Sequence, residues 1–204
     1  MNAAWFGSAV AFAVAMSATP GPNNAMVTAS GASWGLRRTI PHILGVAIGF
    51  PVMVLAVGLG AGEILRSYPW IQEGLRWLGG SYMLWLAAKI ARADPMPAET
   101  APDEIKGRPI SFSQAALFQW VNPKAWVAAV GAVVTYTSGG TALAGEAAVL
   151  AIIFLAISPP ILIGWTLVGV GAARLLRSRR AMKRFNLAMA ALLVASLIPL
   201  LTEN

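Results

Sequence analysis

Cysteine is absent from this chain of 204 residues, charge is scarce, and histidine occurs once. Each shortage excludes something. Without cysteine there is no disulfide, no thiolate metal site and no thiol–disulfide relay. Charged residues make up 11% of the chain, against roughly a quarter in a soluble domain, so the chain cannot cover itself with a polar surface. Clusters of metal-ligating residues are missing. An intramembrane protease would need paired aspartates, a Ser–His pair or a His-Glu-x-x-His helix, and the lone His42 supplies none of these. Gly58, Gly60 and Gly62 are no nucleotide fingerprint, since no strand precedes them. No phosphate-binding loop is present either, so no cofactor and no direct ATP drive are expected. Asp and Glu are missing from the deep part of every apolar segment, with Glu63 and Glu146 near segment ends and expected to be solvated.

What remains is apolar. Hydrophobic residues make up 57% of the chain and the mean hydropathy is +0.67. The reading is an all-α integral membrane protein whose partner is the lipid bilayer. Eight tryptophans suit the membrane–water interfaces. The net charge of +7 does not point to nucleic acid, because the basic residues lie between apolar segments.

Six apolar segments are expected, at about residues 5–33, 42–65, 75–91, 112–136, 147–173 and 185–201. The first has no Lys or Arg before it, which makes a poor signal peptide, and it is expected to be retained as a span. Residues 92–109 hold four prolines and four of the eight acidic residues and read as a solvated linker. The chain thus divides into 1–91, a cytoplasmic linker at 92–110, and 111–204.

Twelve of the fifteen Lys and Arg fall in the loops after segments one, three and five. The positive-inside rule then places both termini outside. Each half holds three segments, so the second half must enter the membrane from the opposite side, as an inverted repeat. Matched breaks support this. Pro22 and Pro123 are 101 residues apart, and Pro51 lies 108 or 109 residues before Pro159 and Pro160.

The breaks carry the candidate site. Thr19-Pro20-Gly21-Pro22-Asn23-Asn24 interrupts the first segment, and Gln119, Asn122, Pro123 and Lys124 surround the interruption of the fourth. Prolines and glycine end helices. Matched breaks in inverted halves are the best sequence pointer to a transporter site. A new helix start offers free N–H groups to a carboxylate, and an orphaned helix end offers carbonyls to an ammonium. A zwitterionic amino acid needs both. The plainer reading is a pair of kinks, but a kink needs one proline and no asparagines. Lys124 lies ~16 Å past Ser113 by helix rise, and it has two readings. It pairs with a substrate carboxylate, or it snorkels or bonds a loop carbonyl for structural reasons. Ser17, Thr19, Gln114 and Gln119 are weaker candidates, since polar groups in spans often bond neighbouring helices. His42 is either a proton shuttle or a plain interfacial histidine. The pairs Gly45/Gly49 and Gly58/Gly62 have the spacing of close helix packing.

Several of these stretches together resemble the LysE/RhtB family of bacterial amino-acid exporters. They are Thr19 to Asn23, Gly35-Leu36-Arg37-Arg38, Gly45 with Gly49, Leu78-Gly79-Gly80-Ser81-Tyr82 with Trp85-Leu86-Ala87, and Phe112 through Asn122-Pro123-Lys124-Ala125-Trp126. Within the family, Pro22-Asn23-Asn24 and Pro109-Ile110-Ser111-Phe112 look most like the cysteine/O-acetylserine exporter branch. The resemblance implies a bacterial inner-membrane exporter driven by the proton gradient through antiport, and not an enzyme. A non-transporting membrane scaffold and a passive pore are the alternatives. Homo-oligomerisation is left open. The absence of deep acidic residues leaves a dibasic substrate without a counter-charge, so a small neutral amino acid or derivative is expected. Purified protein in liposomes is therefore expected to move small neutral amino acids faster than lysine or arginine, and the opposite order would overturn this reading.

Overall fold

The computed structural model describes residues 1–93, 108–176 and 178–198. Most of the expected linker and the end of the sixth segment lie outside these residues. The described residues form helices and no strand. The α-helices are α1 (Ala3–Ala18), α2 (Pro22–Ala56), α3 (Gly62–Ser67), α4 (Pro69–Ala91), α5 (Phe112–Phe118), α6 (Pro123–Tyr136), α7 (Leu143–Leu175) and α8 (Arg179–Ala195). A π-helical turn at Val57–Ala61 joins α2 to α3, and a 3-10 turn at Gln119–Val121 precedes α6.

Both expected breaks are real interruptions. α1 ends at Ala18, and the chain restarts at Pro22 with extended Gly21 before it. The second break is a single extended residue, Asn122, before Pro123. Proline sits at the first helical position in both cases. There its missing N–H costs nothing and its fixed φ starts the helix.

α2 is not one straight rod. Gly35 sits at φ 73° and ψ 173°, outside the helical region. Ser30 Oγ and His42 Nδ1 are 3.4 Å apart, whereas twelve residues of continuous helix would separate them by ~18 Å. The chain therefore doubles back at Gly35, and residues 22–34 and 36–56 form two arms. Only glycine adopts such a φ without strain. Gly139, 104 residues further on, has nearly the same conformation at φ 77° and ψ −170° and opens the connection into α7.

Two helical stretches among the described residues are long and apolar enough to cross a bilayer, Pro22–Ile64 and Gly140–Leu175. α1 is a shorter apolar helix. α8 begins earlier than the expected sixth segment, because Ser178 caps it and the basic run Arg179 to Arg184 is helical. The outer surface is apolar. Trp70 is 72% exposed and Val134 75%, and the exposed set includes Leu117, Val127, Ile152 and Leu155 from several helices. A surface of this breadth suits lipid, not water.

Inside, α7 lies against both arms of α2. At their crossing the backbones touch. A Cβ on Gly31 would overlap the Thr166 carbonyl oxygen, and one on Gly169 would overlap the Thr28 carbonyl oxygen. The contact is reciprocal, each glycine standing three residues beyond the threonine of its own helix. Gly45 and Gly49 meet α5 in the same way, and Gly58 meets Ala147. Gly62 makes no approach of that kind. The main apolar cluster joins α1, the second arm of α2, α6 and α7 through Ala13, Met53, Ala129 and Phe154. A second joins the first arm of α2 to α4 and α8 through Met26, Met83 and Leu193. Trp5 Nε1 donates to the Tyr136 carbonyl at 3.0 Å and Tyr136 Oη donates to the Ser8 carbonyl at 3.0 Å, pinning the start of α1 to the end of α6.

Gly169→Ala is expected to destabilise the protein by about 2 kcal/mol, since the added methyl has no room to enter between two backbones. A heat ramp of the detergent-solubilised variant measures this, and an unchanged midpoint would refute the crossing as described.

Candidate functional site

A cavity lies where the two breaks meet. It holds about 490 Å³ of empty space, its open mouth included, and is lined from both sides. Gly21, Asn23 and Asn24 come from the first break, and Asn122, Lys124 and Ala125 from the second. Ser17, Val46, Phe50, Phe154, Ser158 and Leu162 complete much of the wall. Three helix ends meet at its wall: the C-terminal end of α1 and the N-terminal ends of α2 and α6. Negative and positive partial charges thus face one space.

Hydrogen bonds stitch the breaks individually and then to each other. Asn24 Nδ2 donates to the carbonyls of Ser17 and Thr19, both at 2.9 Å, and so spans the first break. Trp126 Nε1 donates to the Trp120 carbonyl at 2.7 Å and spans the second. Asn23 and Gln119 pair amide to amide across the two. Asn23 Nδ2 donates to Gln119 Oε1 at 2.9 Å, and Gln119 Nε2 donates back to Asn23 Oδ1 at 3.2 Å and to the Ala115 carbonyl at 2.8 Å.

Lys124 crosses in the other direction. Its Nζ donates to the Thr19 carbonyl and lies 3.4 Å from the Pro20 carbonyl oxygen. The side chain runs over Gly21, where a Cβ would come within 2.6 Å of Lys124 Cδ. A cation at the end of α1 complements that helix's dipole. The loop-carbonyl bond is therefore present, while the same side chain also lines the cavity.

The two helix starts differ. Asn122 caps α6 with its own Oδ1, which accepts from the Lys124 N–H at 3.1 Å. α2 starts at Gly21, which has no side chain to cap with. The first turn of α2 is the less occupied anion-accepting end.

The remaining expected residues are placed as follows. Pro20 and Pro22 flank Gly21 in the first break, and the Thr19 hydroxyl bonds back to the Ala15 carbonyl at 2.6 Å. Gln114 belongs to a capping box with Ser111 at the start of α5, away from the cavity lining. His42 is fully buried within the protein. Its Nδ1 faces Ser30, and its Nε2 has no partner among the described residues. His42 does not line the cavity, but Val46, one turn further along α2, does. Glu146 is part-exposed and accepts from the Ser138 N–H at 2.6 Å and from its hydroxyl, so it anchors the α6–α7 connection. Ser158 was not anticipated. The available signal was a hydroxyl directly before Pro159-Pro160 in an otherwise apolar segment.

A family model described as LysE type translocator matches residues 14–202. The chain belongs to this family. Among curated proteins, it is 30% identical over 177 residues to the cysteine/O-acetylserine efflux protein of Escherichia coli strain K12, covering 86% of this chain and 87% of that one. The protein of the same name from Salmonella typhi is 35% identical over 106 residues, covering 52% of each chain. No solved structure matches significantly. Family and apolar helices together make this a membrane protein of a translocator family, with no enzyme among the relatives named here.

Lys124→Met is expected to lower stability by about 1–2 kcal/mol, because it removes a charge-assisted bond to the α1 end. The thermal midpoint in detergent reads this loss. A midpoint equal to wild type would mean that the Lys124 bridge does not hold the breaks together.

Proposed function

We propose that this LysE-type translocator exports a small neutral amino acid, or a close derivative, across the bacterial inner membrane by secondary transport coupled to proton antiport. The observation that carries this is the meeting of both helix breaks at one cavity. A zwitterion requires donors for its carboxylate and acceptors for its ammonium within a few ångströms of each other, and the helix ends at this cavity carry both signs. Thr19 to Asn24 form one side of the site, and Gln119 with Asn122, Pro123 and Lys124 form the other. The efflux activity in the names of the relatives supports the same direction of transport and a small substrate.

The arrangement in this reading is six spans in two inverted halves with both termini outside. The matched Pro22 and Pro123 starts and the matched Gly35 and Gly139 conformations support it. Alternating access then rocks one half against the other about the breaks. His42 is the candidate proton carrier. It is the single imidazole, it is buried, and it sits one turn from the cavity wall.

Counterflow in proteoliposomes against a panel of amino acids, with and without a pH gradient, tests this proposal. Saturable flux that a pH gradient accelerates is expected. Asn23→Ala and Asn122→Ala are expected to lose at least about tenfold in rate, the effect of one or two hydrogen bonds to a charged group, while still accumulating in the membrane. Full flux from both variants would sink the site, and non-saturable flux would favour a pore.

A further inference from the structure

The cavity wall has two chemistries. The breaks make a polar side, from Ser17, Asn23, Asn24, Asn122 and Lys124. The rest of the lining is largely apolar, with Val46 and Phe50 from α2 and Phe154 and Leu162 from α7. Ser158 stands among these residues, four after Phe154 and four before Leu162. It is only 5% exposed.

Hydroxyls inside helices commonly turn back to the carbonyl four residues earlier. Thr28, Thr166 and Thr137 do so here at 2.7 Å, and Thr39 does so at 2.8 Å. The Ser158 hydroxyl makes no hydrogen bond among the described residues, although it lines the cavity. Its Oγ is not among the atoms sealed away without a partner, so it is reached from the cavity and free to bond what enters there.

We propose that Ser158 is a specificity-determining residue, which hydrogen-bonds the side chain of the transported amino acid. This rests on the exporter reading above. A bound zwitterion turns its carboxylate and ammonium toward the breaks, so its side chain faces Phe50, Phe154 and Ser158. A short side chain with one hydrogen-bonding group satisfies Ser158. An alkyl side chain of the same length fits the wall but leaves the hydroxyl open. Sites built to bond a substrate hydroxyl discriminate against the analogue that lacks it for this reason. The substrate class is therefore a small amino acid with a hydroxyl, thiol or comparable polar atom near Cβ.

Serine and alanine are the probes, since they differ by that one oxygen. The counterflow assay compares them in the same vesicles, so their ratio is independent of the amount of folded carrier. Wild type is expected to favour serine by about tenfold in kcat/KM, the effect of one neutral hydrogen bond. Ser158→Ala is expected to bring the ratio close to one, and Ser158→Thr, which keeps the hydroxyl, to retain a preference for serine. A wild-type ratio preserved in Ser158→Ala would overturn the role of Ser158 and leave export standing. So would equal wild-type rates for the two probes, or a Ser158→Thr ratio near one. A wild type that moves neither amino acid, nor any other in the panel, would overturn the exporter reading and this inference with it.

Discussion

Lipid offers no hydrogen bonds, so a helix interrupted inside a membrane must find protein partners for every backbone group it frees. The rest of this structure depends on how that requirement is met. The first break leaves carbonyls at the end of α1, and the second break supplies Lys124 to cover them. Asn23 and Gln119 bond each other, so neither amide is left open. Neither break is self-sufficient. They are held at a fixed separation because each completes the other, and the cavity is the space that this separation leaves.

The same bonds explain why the cavity is not symmetric. α6 closes its own start with Asn122, whereas Gly21 leaves the start of α2 uncapped. The end of α1 is already covered by an ammonium. Polar capacity is therefore greatest around the first turn of α2. The rest of the lining includes aromatic and aliphatic side chains from α2 and α7, with the Ser158 hydroxyl among them. In the proposed reading, charge recognition falls on the first turn of α2, and side-chain recognition on its second arm and α7.

Much of this was legible in the residues because proline and glycine act locally. Pro22 and Pro123 set helix starts whatever surrounds them, and the basic run after Gly35 marked a turn. Asn23, Asn122 and Lys124 stood out because polar groups are rare in apolar segments. Other features were not legible, since they depend on which helices become neighbours. Gly31 and Gly169 look like ordinary small residues until the backbones they admit are seen. Gln119 read as a minor polar residue because its partner lies 96 positions away. Ser158 was hidden by the same cause, having no chemistry of its own until α7 is laid beside both breaks. His42 lay close enough to a segment end to suggest an interface, yet the reversal at Gly35 packs it against Ser30.

The glycine–threonine crossing of α2 and α7 has a mechanical consequence. Where backbone meets backbone, there is no flexible side chain to compress or to reach across a widening gap. Such a joint resists closer approach, and α7 continues from it along both arms of α2. The two arms and α7 are thereby fastened into one stiff frame, against which the first break, one turn before Thr28, is set.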